Sequence, residues 1–204
     1  MNPLDMLLLP KSTYNKLTNN RFVLYTGIIL VGIRDIGLFL WEKLPGYFAG
    51  KPQEVVLSNG GILLAAVLIM GIMDVLFFSY PLYDLLSFIK KRREGDTHSA
   101  TAVKVMKVYI LANLIVTPLD VAALSIASHF GNNLTDSPYL IIVQVLSILA
   151  VIMYYGIITR GVSVLFNHTG LYTLLILITV ILYSDLLSYI FRFLDNKVLI
   201  TLLR

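Results

Sequence analysis

PYLIIVQVLSILAVIMYYGIIT, residues Pro138 to Thr159, carries no Asp, Glu, Lys or Arg anywhere along its length. A helix needs about 20 mainly apolar residues to cross the hydrocarbon layer of a bilayer, and this run meets that length without a single charge. Four further runs fit the same template: Phe22 to Trp41, Leu57 to Tyr80, Val103 to Phe130 and Leu171 to Phe191. The segments are continuous, whereas the strands of a membrane barrel would alternate in segments of about ten residues. The expectation is an all-α integral membrane bundle of five spans in a single domain over residues 1–204 (spans 22–41, 57–80, 103–130, 138–159 and 171–191).

Composition agrees. Of the whole chain 57% is hydrophobic and 14% charged, with a mean hydropathy of +0.81. Soluble domains carry roughly a quarter charged residues, so this chain cannot cover its own core with polar surface. Met1 to Asn20 lacks the ordered charged start, apolar core and small-residue cleavage site of a secretory signal, so the first run is expected to be a retained span. The absence of cysteine excludes disulfides, thiolate metal sites and cysteine nucleophiles. A net charge of +4 does not point to nucleic acid, because the basic residues flank apolar runs.

Turn residues divide the runs. Pro45-Gly46 to Lys51-Pro52, Gly131-Asn132-Asn133 and Asn167-His168-Thr169-Gly170 all fall between spans, where Gly and Asn tolerate positive φ and Pro stops a helix. Lys11, Lys16 and Arg21 precede the first span, and Lys90, Lys91, Arg92, Arg93, Lys104 and Lys107 follow the second. The positive-inside rule then puts the N-terminus and middle loop in the cytoplasm and the C-terminus outside, against the weaker pull of Arg192, Lys197 and Arg204. Asn2-Pro3 ahead of Leu4, Met6, Leu7 and Leu8 reads as a capped helix start, and the segment it opens suits a membrane surface. Lys90, Lys91, Arg92 and Arg93, on a helix continuing past Pro81, are expected at the head groups, where anionic lipids would be favoured.

The chemically informative residues are charged ones inside the spans. An ionised side chain in hydrocarbon is costly, so it must face the bundle interior, water or a partner. Asp35, Asp74, Asp120 and Asp185, with Arg34 and Asn113, form the candidate polar or ion site; Asp84 is a further acidic residue of chemical interest. Gln144 and Tyr154-Tyr155 add groups that can bond between helices. Two readings stay open: separate helix contacts at several depths, or one ring of carboxylates holding a cation or passing protons. His98, His129 and His168 form no zinc spacing. There is no Gly-rich phosphate loop, no Gly-x-Ser-x-Gly elbow and no Gly-x-Gly-Asp element, so neither catalysis nor a cofactor is expected.

The plan of a short cytoplasmic segment and five spans resembles the Yip1 domain family, in a compact bacterial form. Asn2-Pro3 is similar to the start of many bacterial members. Lys104 to Asp120, with Asn113 and Pro118, resembles their third span, and Ile152-Met153-Tyr154-Tyr155-Gly156-Ile157 the aromatic–Gly element of their fourth. The acidic motif of eukaryotic members has no counterpart, so the resemblance implies a fold and a bacterial cytoplasmic membrane but no small-GTPase binding. The expectation from it is a non-enzymatic protein acting through lipid or membrane-protein contacts. Gly27-Gly32 and Gly156-Gly161 would permit close helix approach, inside the bundle or in a homodimer. The competing expectation is a small ion or proton channel or transporter using the intramembrane aspartates. Converging carboxylates around a cavity would favour the second.

Overall fold

The computed structural model describes residues 5, 8–94, 101–130, 138–167 and 170–203, with the backbone alone at residues 91–94 and 195. The helix start at Asn2-Pro3, His98, the 131–133 break and His168 lie outside the described residues. In chain order the helices are α1 (Lys11–Asn15), α2 (Arg21–Phe39), α3 (Leu44–Phe48), α4 (Gln53–Glu94), α5 (Ala102–Phe130), α6 (Tyr139–Phe166) and α7 (Leu171–Leu194). A π-helical turn (Asp195–Leu199) and α8 (Ile200–Leu202) follow. Among them, five are long and apolar enough to cross a membrane: α2, α4, α5, α6 and the one that begins at Leu171.

Local chemistry sets the ends. Asn20 caps α2 by accepting from the Phe22 N–H at 2.9 Å, which satisfies one of the orphan donors of the first turn. At the far end of α6, Asn167 turns left-handed (φ 56°), and its N–H reaches back to the Ser163 and Val164 carbonyls, the usual way to close a helix with Asn. The 42 residues of α4 span about 63 Å at 1.5 Å per residue. That is about twice the hydrocarbon thickness, and so longer than a single crossing needs.

Pro81 sits inside α4 and lacks the N–H that would bond the Phe77 carbonyl. Tyr183 of α7 supplies the missing donor, its hydroxyl meeting that carbonyl at 2.6 Å. Where no water is at hand, a freed backbone group needs a partner from a neighbouring helix.

Glycines set the helix spacing. A Cβ on Gly32 would run into the Val67 carbonyl, and one on Gly71 into the Ile28 carbonyl, so α2 and α4 touch backbone to backbone. Gly27 receives Ile110 of α5. The interior between these helices is filled by Val31, Val75, Phe78, Val108, Ile157 and Val180, among others. Large apolar residues also cover the outside: Phe22 is 77% exposed, Leu57 67% and Leu182 66%. A surface so apolar suits lipid rather than water.

The N-terminal segment is tied into the bundle. Tyr14 of α1 is completely buried, and its hydroxyl donates to the Leu8 carbonyl at 2.6 Å and the Ile157 carbonyl at 3.3 Å. Leu8 lies over Gly156, and the Tyr14 ring over Gly161. Asp5 pairs with Arg160, and Lys107 Nζ donates to the Thr18 carbonyl at 2.7 Å. Burial pushes the Tyr14 phenol up to about 12, the nearby Arg160 opposing it. Two basic residues therefore do other work than flanking a span. Lys107 is 7% exposed within α5, and Arg160 lies inside α6 because that helix runs on to Phe166. Lys90, expected at the head groups, is only 3% exposed, so its side chain lies among neighbouring residues; Lys91, Arg92 and Arg93 occupy the last turn of α4.

Candidate functional site: a polar cavity inside the bundle

Five helices part around a cavity of about 500 Å³. Each contributes side chains at helical spacing. On α5, Tyr109, Asn113, Val116 and Asp120 line it, in steps of four, three and four residues. On α7, Ser184, Ser188 and Arg192 do so in steps of four. Such steps put residues on one helix face. Arg34, Asp35 and Leu38 come from α2, Ala150 and Tyr154 from α6, and Asp74 and Met70 reach in from α4.

The charged groups hold one another. Arg34 Nη1 donates to Asp35 Oδ1 at 2.9 Å and Nη2 to Asp120 Oδ2 at 2.7 Å. One guanidinium thereby links α2 to α5 through two carboxylates. All three side chains are mostly buried, at 18%, 24% and 26% exposure. Charge-assisted bonds of this kind are shorter and stronger than neutral ones.

Asp74 sits deeper, at 6% exposure. Tyr109 donates to its carboxylate, the hydroxyl lying 2.8 Å from each oxygen. The Tyr109 ring stacks on Phe78 at 4.2 Å and meets Tyr154 edge-on at 6.2 Å, so the donor is held from two sides. Asp35 and Asp74 line the same cavity from α2 and α4. The bonds thus make a network in two parts, Arg34–Asp35–Asp120 and Tyr109–Asp74, on the wall of one cavity and across three helices.

Asn113 lines the cavity but bonds within its own helix, Nδ2 donating to the Tyr109 carbonyl at 3.1 Å. One turn on, the Thr117 hydroxyl donates to the Asn113 carbonyl at 2.7 Å, beside Pro118. Asp185 does not join the network. It accepts from the Tyr155 hydroxyl at 3.0 Å at an exposed position. Asp84 is also exposed and off the cavity wall. Tyr109, Ser184 and Ser188 are wall residues that reasoning from charge alone passes over. The signal for them is the polar periodicity itself, since 109, 113 and 120 share a face of α5, and 184 and 188 a face of α7. Ser184 is 6% exposed, and its Oγ has no hydrogen-bond partner among the described residues.

Chemically, the cavity offers three carboxylates against one guanidinium in its buried part, with aromatic rings around them. Arg192 stands at an exposed position near the end of α7. Among the described residues no three His, Asp or Glu side chains are grouped closely enough to hold a metal ion. No protein-family model, curated protein or solved structure matches this chain.

Proposed function

We propose that the protein takes a small cation into this cavity and acts as a channel or carrier rather than as an enzyme. The observation that carries the reading is the meeting of Asp35, Asp74 and Asp120, from three helices, with Arg34 on one cavity wall. Ionisable groups buried at membrane depth are expensive, and three of them facing one space are hard to explain as separate helix contacts. The excess of carboxylate over guanidinium gives the space a preference for positive charge.

The lining runs from Asp74 and Tyr109, well inside their helices, to Leu38 and Phe39 at the end of α2 and Arg192 near the end of α7. With the orientation implied by Lys and Arg in the connections, that mouth faces outside and the α1 segment lies at the cytoplasmic end. A Yip1-like member of the bacterial cytoplasmic membrane fits the same plan. The glycines expected to permit close helix approach, inside the bundle or in a homodimer, meet neighbours within the bundle: Gly27 meets Ile110, Gly32 α4, Gly156 Leu8 and Gly161 Tyr14. They lend no support to a homodimer or scaffold.

The test is flux in proteoliposomes holding the full chain, with protons, sodium, potassium, magnesium and methylammonium offered in turn. At least one is expected to move well above protein-free vesicles, and Asp74→Asn is expected to bring its rate close to background. Absence of flux with all five, in a protein shown to be folded, overturns the reading.

A further inference from the structure

Resting on that reading, we infer that the cavity takes a compact organic ammonium ion, its amine at Asp74 and Asp35 and its apolar part among the rings nearer the mouth. Size argues first. A space of about 500 Å³ falls within the range of small-molecule sites, about 300–1,000 Å³, and is far larger than a bare ion fills. The arrangement of oxygens argues second. The carboxylates share a wall, yet among the described residues no three acidic groups stand close enough to ligate one ion, whereas a hard metal cation takes about six or more oxygens around it.

The wall chemistry argues third. Tyr109, Tyr154 and Tyr155 at the inner part, and Phe39 and Phe191 farther out, line the same space as the carboxylates. Aromatic faces beside a carboxylate make a pattern that suits an ammonium carrying an organic group, because the ring faces attract the cation and the rings accommodate its carbon. Arg34 narrows the choice of charge. It is committed to Asp35 and Asp120, so Asp74 is the carboxylate with no arginine bonded to it, and a single positive charge is its natural complement. Ser184 supplies a buried hydroxyl on the same wall with no partner among the described residues, which an amine N–H can use as an acceptor once the side chain turns.

The experiment uses the full chain in detergent and in nanodiscs, with 2-phenylethylammonium as probe, 2-phenylethanol as its neutral near-isostere, and sodium and potassium chloride at matched ionic strength. Thermal shift and calorimetric titration read binding. The ammonium is expected to bind saturably and the alcohol at least tenfold more weakly. Asp74→Asn is expected to weaken ammonium binding at least tenfold, and Phe191→Ala, nearer the mouth, severalfold. Should Asp74→Asn fail to fold, Phe191→Ala and the alcohol comparison still decide. Equal binding of alcohol and ammonium overturns the inference, as does retention of full affinity in both variants. Binding of sodium or potassium without the ammonium overturns it while leaving the cation reading in place. Binding of no cation overturns both.

Discussion

The two ends of the α5–α6 pair handle buried polar groups in opposite ways. At the end where α1 docks, polar atoms are answered mainly by backbone, Tyr14 bonding the Leu8 and Ile157 carbonyls and Lys107 the Thr18 carbonyl, with Asp5–Arg160 as a side-chain pair beside them. Helix spacing there is set by contact, with Leu8 and Tyr14 lying over Gly156 and Gly161. At the other end the helices part, and side chains answer side chains: Arg34 to Asp35 and Asp120, Tyr109 to Asp74. The difference teaches that polarity in a membrane bundle serves two purposes. Bonds to backbone hold helices in close contact, whereas the cluster of ionisable side chains at the open end lines a space, an arrangement that costs energy inside a membrane bundle.

Removing Arg34 tests the open end most severely. Arg34→Leu leaves Asp35 and Asp120 buried without their cation, and losing one partner of a buried pair costs about 3 kcal/mol. Thermal unfolding in detergent should show that loss. In an Asp35→Asn/Asp120→Asn background the same change should cost less than about 1 kcal/mol, since no charge is then stranded. Equal losses in the two backgrounds would make Arg34 a packing residue and erase the contrast between the ends.

Two alanines sharpen the contrast in the opposite direction. A Cβ at Gly161 would lie 2.6 Å from Val108 Cγ1 and 2.7 Å from Tyr14 Cε1, so Gly161→Ala should cost about 2 kcal/mol through overpacking. Loosening of α1 should also speed tryptic cleavage at Lys11 and Lys16. Gly37, toward the cavity end of α2, has nothing within 4 Å of its Cβ position. Gly37→Ala should therefore be neutral or add up to about 1 kcal/mol from helix propensity. Matching melting temperatures for the two variants would show that contact does not govern the docked end.

Much of this division was legible in the sequence, but unevenly. The apolar runs announce the long helices because lipid demands that length and composition. Asp35, Asp74 and Asp120 stand out because charge is rare in such runs. Asp185 stands out equally and yet lies outside the cavity, since which way a residue faces depends on how the helices rotate against one another. Tyr109 was hidden because tyrosine in an apolar run reads as core. Tyr14 was hidden by its surroundings: KSTYNKLTNN looks like solvated flank. It is buried because Gly161, more than a hundred residues away, leaves room on α6. Tertiary holes of that kind leave no local periodicity to read.

Tyr14 also gives the docked end a titration signature. Its phenol is raised from the ordinary 10.0 to about 12 by burial. A group whose pKa is higher in the folded state contributes fully below its unfolded pKa, and the contribution is lost as pH rises through the folded value. Stability should thus be insensitive to Tyr14 below about pH 10 and fall between 10 and about 12. Tyr14→Phe should remove that extra fall while costing about 1 kcal/mol at neutral pH through the lost hydroxyl bonds. Melting temperatures of the two proteins that stay parallel to pH 12 would mean the ring is not held inside the bundle.

The smallest effect concerns a carbonyl rather than a charge. Pro81 deprives the Phe77 carbonyl of its helical donor, and the Tyr183 hydroxyl takes the vacant place at 2.6 Å. If that is the whole role of the hydroxyl, Tyr183→Phe should cost about 1 kcal/mol in the wild-type chain and almost nothing once Pro81→Ala restores an N–H. The double-mutant cycle isolates the pair only if Pro81→Ala leaves α7 in place, which an unchanged Tyr14 burial and tryptic pattern would establish. A cost that persists in the Pro81→Ala background would mean Tyr183 acts through its packing against Phe78, where the rings lie 5.9 Å apart. The rule that hydroxyls answer backbone in the close-packed regions would then fail at its most direct example, and the open end would lose its claim to be the exception.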